Sequence, residues 1–344
     1  MNSVADIGAM LQLVRVARGF TQDALSNATG ISQAVLSKAE SGIVALDDAR
    51  LALVAEVLEV PIDRFLDGAP AGGVLSACAF HRKRASLPVS DAKRIRAILD
   101  LTGLEVAAVL SDVEPHVSVP RETPSDDGWT TPADIAYDIR EAAGLGNDPI
   151  PDLVGVVESL GAVILVRDLQ ATKIDAIGSW PEGYRPLFLL NASSPADRRR
   201  FTLAHEFGHA VMHSEPRTDQ EREADQFASE LLLPAAGVRD DLVNLDLGKL
   251  ALLKRKWGAS MAALVRKARD VGTITENEYK KLNIELSTAG YRLKEPVDLP
   301  LEQPSLMMQR LRSRLENGAT VEDLARLTHM LPNKFHTAYL QEAS

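Results

Sequence analysis

A five-residue segment near the middle of the chain carries residue types suited to metal chemistry. Its sequence is His205-Glu206-Phe-Gly-His209. Positions i and i+4 lie on one face of an α-helix, so the imidazoles of His205 and His209 can both offer a nitrogen to one ion. Glu206 sits beside that face, where it is placed to accept a proton from a metal-bound water rather than to bind the metal. The spacing therefore predicts a hydrolytic metal site with Glu206 as its catalytic base.

A catalytic zinc site of this kind needs a third protein ligand and an open position for water. Glu221 and Glu223, on the next predicted helix, compete for that role, and they are separated by about 200° around the helix axis. Glu221 shares a face with Asp225 at i+4, which lets Asp225 orient a ligating histidine from behind. We therefore predict Zn²⁺ bound by His205, His209 and Glu221. Mn²⁺ or another divalent ion accepts the same set.

Neighbouring residues limit the type of site. His213, a further i+4 step along the helix, is expected to pack or cap rather than to bind metal. Metzincin spacing fails because position 212 is Met and position 215 is Glu. Cys78 is the only cysteine, so the ligands of a zinc site have to be histidines and carboxylates.

The elements that must position this site follow an α+β pattern. Thr131-Pro132 and Ser194-Pro195 are helix-start signals, and the second opens a helix that runs to about His213. A further helix is expected from about Thr218 to Leu233. Between the first two signals lie short β-rich segments, at 162–167, 174–180 and 184–190. The order of helix, strands and then helices predicts an α+β domain whose later helices carry the chemistry.

A second pattern, near the N-terminus, indicates DNA binding. Thr21 is expected to cap a short helix with Ala24, Leu25 and Ala28 facing inward, Gly30 to permit a turn, and Ser32 to cap the next helix. The second helix leaves several side chains available to a major groove: Gln33, Ala34, Ser37 and Lys38. Gln is suited to a bidentate contact with adenine, and Lys to guanine or phosphate.

Composition limits both hypotheses. A chain of 344 residues is expected to form two or three domains. Its net charge of -10 predicts modest DNA affinity, because that affinity is largely phosphate neutralisation. The single cysteine fits a reducing cytosol, and no apolar run approaches the ~18 residues of a membrane span. Because a signal-peptide pattern is also missing, we expect a cytoplasmic protein with no membrane partner.

Two resemblances extend these interpretations. The runs RFTLAHEFGH at 200–209 and EREADQFASELLLP at 221–234 resemble the ImmA/IrrE family of metallopeptidases, over roughly 131–289. This resemblance implies a zincin-like fold, zinc on the two histidines and Glu221, and Glu206 as general base. Family members are associated with cutting a DNA-bound repressor, often under stress. The strand ending at Asn191 resembles the family's edge strand, which can pair with an extended substrate, although a plain core strand is equally compatible.

Residues 7–66 resemble the XRE family of helix-turn-helix domains, which includes phage repressors. The resemblance implies contacts to bases or phosphates from four residues: Gln22, Gln33, Ser37 and Lys38. It also implies a double-stranded DNA operator as a partner.

We therefore predict a multidomain chain with four parts. These are an all-α helix-turn-helix domain (1–68), a linker and helical connecting region (69–130), an α+β zincin-like metallopeptidase domain (131–290) and a helical C-terminal extension (291–344). The expected function is a DNA-binding transcriptional regulator with a zinc-dependent endopeptidase that cleaves a repressor or itself, and a homodimer is a further expectation. In the alternative hypothesis, a transcription factor or antitoxin carries a zinc domain that is structural or ligand-sensing. In a third, a broad peptidase uses the N-terminal domain only as a localiser.

Overall fold

A computed structural model of the chain describes residues 3–66, 88–113, 117, 121–169, 174–181, 183–215 and 217–340, and the backbone of Ala79–Phe80. Within the predicted linker and helical connecting region (69–130), residues 69–78, 81–87, 114–116 and 118–120 therefore lie outside the described residues. Among the helices that are described, none combines the length and the apolar composition needed to cross a bilayer.

The N-terminal part is a set of short helices around its own apolar core. They are α1 (Val4–Ala17), α2 (Gln22–Thr29), α3 (Gln33–Glu40), α4 (Asp48–Val57) and α5 (Asp63–Leu66). The Thr21 hydroxyl accepts a hydrogen bond from the Ala24 amide at 3.0 Å, and Gly30 turns the chain between α2 and α3 with a φ of 71°. Leu25 is buried, whereas Ala24 and Ala28 are exposed, which corrects the expectation that all three face inward. The two-helix motif forms with a narrower apolar face than the sequence suggested.

A long helix, α6 (Val89–Val109), links this part to the rest of the molecule. It packs on α1, and its Leu101 and Leu104 contact the N-terminal core. Glu105 of the same helix forms a buried ion pair with Arg64 at 3.1 Å and accepts a hydrogen bond from the Tyr339 hydroxyl at 2.7 Å. Helix α6 therefore joins the N-terminal helices to the C-terminal end of the chain.

The sheet contains four described strands, in the order β1-β3-β4-β2. Their bounds are β1 (Ala79–Phe80), β2 (Val163–Arg167), β3 (Ala176–Ser179) and β4 (Leu187–Asn191), and the helices that precede β2 are α7 (Pro132–Ala142) and α8 (Leu153–Ser159). Strand β4 is parallel to β2 and antiparallel to β3. It is therefore an interior strand, and the expectation that the strand ending at Asn191 forms the edge is wrong.

Both faces of the sheet are covered, which explains why β4 is apolar at consecutive positions. Phe188 and Leu190 belong to the core shared with the helices that follow β4, whereas Leu187 and Leu189 belong to the core shared with α6 and the C-terminal helices. The first layer consists of α9 (Ala196–Met212), α10 (Gln220–Leu232), α11 (Ala235–Val238), α12 (Leu247–Trp257), α13 (Met261–Asp270) and α14 (Glu276–Thr288). The second contains α15 (Leu306–Glu316), α16 (Val321–Leu327), α17 (Pro332–Phe335) and a π-helical turn (His336–Leu340). The chain is a multidomain α+β protein with a helical extension, as predicted.

Candidate metal centre

The structure brings together three of the predicted site residues, His205 and His209 on α9 and Glu221 on α10. The two Nε2 atoms are 3.0 Å apart. Oε2 of Glu221 lies 3.7 Å from Nε2 of His205, and Oε1 lies 3.5 Å from Nε2 of His209. Ligand atoms held at 2.0–2.2 Å around a tetrahedral zinc are separated by roughly 3.3 Å. The three donor atoms therefore have the spacing that one such ion requires.

Close packing of α9 on α10 creates this arrangement. A Cβ atom on Gly208 would approach Cδ1 of Phe227 to 2.8 Å, so the absence of a side chain at Gly208 lets the Phe227 ring lie against α9. Asp225, one turn after Glu221 on α10, faces the first histidine, and its Oδ1 is 2.9 Å from Nδ1 of His205. The i, i+4 spacing thus places Glu221 in the donor cluster, which consists of His205, His209 and Glu221, and places Asp225 behind His205.

A second carboxylate lies behind His209, and sequence reasoning did not find this connection. Nδ1 of His209 is 2.9 Å from Nδ1 of the fully buried His213, whose Nε2 is 2.9 Å from Oε2 of Glu223. The Arg217 guanidinium lies 3.6 Å from the same Glu223 oxygen. Glu223, the rival candidate for third ligand, thus faces His213 instead of the donor cluster. The i+4 step from His209 to His213 was the available signal.

The hydrogen-bond partners behind the two histidines determine which ring nitrogens face the third donor, Glu221. Burial lowers the pKa of His213 to about 4, so this ring is neutral at pH 7 and donates from Nε2 to Glu223. Its Nδ1 is then an acceptor, and His209 donates to it from its own Nδ1. His205 likewise donates from Nδ1 to Asp225. The two Nε2 atoms lie 3.0 Å apart and face each other, so one positive charge, either a proton on His205 or a metal ion, is required between them.

The pKa shifts of the histidines and Glu221 also favour a cation at the cluster. Burial lowers the pKa of His205, but hydrogen bonding to Asp225 and Glu221 outweighs it and raises the pKa to about 9. Hydrogen bonds from His205 and His209 hold the pKa of Glu221 far below its ordinary value. The cluster thus favours a positive charge beside an ionised carboxylate. The residues present fit a divalent metal ion.

Glu206 is on the side of α9 that faces the sheet, and it is 0 % exposed. A Cβ atom on Gly178 of β3 would lie 3.6 Å from Oε2 of Glu206 and only 2.6 Å from the Phe188 ring. The missing side chain at Gly178 therefore allows β3 to run close beside the predicted catalytic carboxylate. The base candidate and the donor cluster sit next to each other on one helix.

The predicted DNA-contacting residues lie around α3. Gln33 and Lys38 are exposed, while Gln22 and Ser37 are partly buried. Nε2 of Gln33 donates to Oε1 of Gln22 at 2.7 Å, and Nε2 of Gln22 donates to Oε2 of Glu40 at 2.7 Å. Glu40 in turn forms a two-point ion pair with the Arg15 guanidinium, at 2.5 and 2.8 Å, and its side chain is 2 % exposed. The orientation of Gln33 is thus fixed by a chain of bonds that ends in a buried ion pair.

Two family models match separate ranges of the chain. Residues 11–65 match the helix-turn-helix family, and residues 157–269 match the family described as IrrE N-terminal-like domain. No curated protein and no solved structure matches the chain. The second matched range contains both histidines of the donor cluster, Glu221 and Glu206. The chain therefore joins a helix-turn-helix domain of the DNA-binding type to an IrrE-like, metallopeptidase-type domain.

Proposed function

We propose that the chain is a DNA-binding transcriptional regulator whose IrrE-like domain is a zinc-dependent endopeptidase that cleaves a regulatory protein. The observation that carries the proposal is the donor cluster with Glu206 beside it on α9. Three donor atoms leave a coordination position for water, which is the composition of a catalytic rather than a closed structural zinc site.

Each residue has a defined task in this proposal. His205, His209 and Glu221 hold the ion, while Asp225 and His213 fix the ring orientations of the two histidines. When bound, the divalent ion polarises a peptide carbonyl and lowers the pKa of water. Orienting partners of this kind matter because a rotated imidazole no longer points its lone pair at the ion.

Glu206 handles protons in the proposed reaction. Its carboxylate accepts a proton from the attacking water and delivers it to the departing amine nitrogen, so one group acts first as base and then as acid. A position adjacent to both the donor cluster and β3 lets Glu206 reach a peptide aligned with that strand. We propose no role in metal binding for Glu206.

In this proposal the N-terminal domain directs the protein to specific DNA sequences. Gln33 and Lys38 are exposed on α3, where they can reach base edges and phosphates of a double-stranded operator. Gln22 supports Gln33 through their 2.7 Å hydrogen bond. With a net charge of -10, the chain is expected to depend on such specific contacts more than on general attraction to DNA.

One observation favours the non-proteolytic alternative, in which the metal domain is structural or ligand-sensing. Glu206 is 0 % exposed, so in this conformation a substrate does not reach it from solvent. Under that alternative, replacement of Glu206 would leave the regulatory function unchanged.

The deciding experiment uses Glu206→Gln with Glu215→Gln as its matched control. Glu215 is exposed in the turn after α9. Metal content is measured by mass spectrometry, and cleavage is measured with a degenerate peptide library. We expect about one metal ion per chain in all proteins, and cleavage by the wild type and Glu215→Gln only. Equal cleavage by Glu206→Gln, or failure of the metal-loaded wild type to cut either the library or its own chain, would contradict the proposal.

A further inference from the structure

The outer edge of β3 is paired with a segment from a distant part of the same chain. Strand β1 pairs antiparallel with β3, in the register Ala79 opposite Ser179 and Phe80 opposite Gly178. Strand β1 belongs to the connector, residues 67–88, which joins α5 of the helix-turn-helix domain to α6. The connector is the sole covalent link between that domain and everything after it.

The pairing takes place beside the proposed catalytic base. Gly178, which pairs with Phe80, is the β3 residue that lies against the Glu206 carboxylate. Neighbouring strands are about 4.8 Å apart, so the Phe80 backbone lies one strand spacing from the Gly178 backbone. Strand β1 also contacts α9, the helix that carries the donor cluster. An extended segment of the chain therefore passes along the candidate centre.

Extended pairing on a sheet edge is how many domains bind a peptide, because the edge supplies backbone hydrogen bonds whatever the side chains. Only a free edge can accept such a peptide. Strand β4 is interior, and the edge of β3 near Glu206 is taken by β1. A peptide from another molecule would have to displace β1 to use the same backbone groups.

We infer that the outer edge of β3 is the peptide-binding edge of the metal centre and that β1, the part of the connector paired with it, is its resident substrate. This inference rests on the proposed peptidase function and names its substrate. Tethering gives the connector an effective concentration on the order of millimolar, which a free protein in a cell does not match. The connector therefore outcompetes other peptides and is cut within its own molecule.

The reaction is a hydrolysis that needs no further reactant. The water oxygen forms a bond to a connector carbonyl carbon, and the adjacent C–N bond breaks. Glu206 transfers the water proton to the amine nitrogen that leaves. The products are a helix-turn-helix fragment ending in a carboxylate and a second fragment beginning with an amine.

A disulfide trap tests the pairing without relying on activity. Ala79→Cys with Ser179→Cys places thiols on partner positions of β1 and β3, and Ala79→Cys with Ala176→Cys is the control, three residues out of register on the same strand. Both carry Glu206→Gln to prevent cleavage and Cys78→Ser to remove the native thiol. Cβ atoms of opposed antiparallel residues are about 4.5–5.5 Å apart, close to the separation that a disulfide requires. We expect linked peptides from the first variant on mild oxidation. No link, or equal linking in the control, would overturn the pairing.

Cleavage is then followed in the metal-loaded full chain. Wild type is mixed with isotopically heavy Glu206→Gln chain, and products are identified by mass spectrometry. We expect cuts within residues 67–88 of the wild-type chain alone, with a half-time unchanged by tenfold dilution.

The outcomes separate the two proposals. Cleavage of library peptides with an intact connector would overturn the substrate assignment and leave the peptidase standing. Equal cutting of the heavy chain would overturn cleavage within one molecule. Failure to cut either connector or library would remove the peptidase proposal, and the substrate assignment with it.

Discussion

Nδ1 of His209 lies 2.9 Å from Nδ1 of His213, one turn further along α9. The second ring is held in place by Glu223 at 2.9 Å. A proposed metal ligand is thus oriented by a histidine and then by a carboxylate, whereas His205 is oriented by Asp225 directly. The two histidines of one motif therefore depend on different parts of α10 for their orientation.

Replacing His213 by Asn should weaken metal binding without removing a ligand. Loss of an orienting partner costs about 10–100-fold in metal affinity. Competition with a coloured chelator measures the change. His336→Asn is the matched control, because His336 is exposed and distant from α9 in the chain. Unchanged affinity in His213→Asn would show that His213 only packs.

Glu221 and Glu223 should respond differently to the same substitution. Glu221→Gln replaces an anionic donor by an amide, so we expect bound metal to fall well below one ion per chain after dialysis. Glu223→Gln leaves all three donors, so we expect full occupancy with a lower affinity. Metal content by mass spectrometry distinguishes them. The reverse result would make Glu223 the third ligand.

Metal removal should lower the stability of the IrrE-like domain. An ion that binds only the folded chain stabilises it by about 2.7 kcal/mol at a hundredfold excess over its Kd. Wild-type protein should therefore unfold at lower temperature after treatment with a chelator. His205→Ala should show no such shift, since it has already lost a donor. An equal shift in both proteins would mean that the stabilising ion binds elsewhere.

Tyr339→Phe should loosen the junction at α6. The substitution removes a hydrogen bond to the buried carboxylate of Glu105, a loss that costs about 1–3 kcal/mol in unfolding free energy. Denaturant unfolding measures it, with Tyr137→Phe as the control because the Tyr137 side chain is exposed. Equal stability of the two variants would show that Arg64 alone satisfies Glu105.

Two residues of α3 should affect DNA binding in different ways. Gln33→Ala should cost about 1–3 kcal/mol on the preferred sequence and relax selectivity there. Lys38→Ala should weaken binding to all sequences and reduce the salt slope by about one if Lys38 contacts phosphate. Duplexes selected from a random library serve as ligands, and fluorescence anisotropy at several salt concentrations gives both quantities. A selectivity change in Lys38→Ala would assign it a base contact.

Local signals predicted the elements well. Thr131-Pro132 gives α7 with a capping box. The helix predicted after Ser194-Pro195 forms as α9, but its N-cap is Pro195, and the Ser194 hydroxyl donates to Asp175 instead of capping the helix. The i, i+4 spacing also anticipated the meeting of His205 and His209, because helical geometry alone fixes it.

Relationships between distant elements were harder to predict. The apolar run at 187–190 fits an edge or an interior strand, and only its pairing with both β2 and β3 decides between them. The bond from His213 to Glu223 depends on how α10 packs against α9, which local spacing does not encode. Strand β1 is two residues long and lacks a periodic pattern, so nothing local indicated that it pairs with β3.

Helix α6 packs against the helix-turn-helix domain, so hydrolysis of the connector and separation of the two fragments would be distinct events in time. Helix α6 lies after the connector, yet it contacts α1, and its Glu105 pairs with Arg64. Hydrolysis of the connector would therefore leave the DNA-binding domain attached by a noncovalent interface. Separation would follow the dissociation rate of that interface and would be promoted by dilution. Hydrolysis of the peptide bond would permit separation, and the dissociation rate of the α6 interface would determine how long afterwards the two fragments separate.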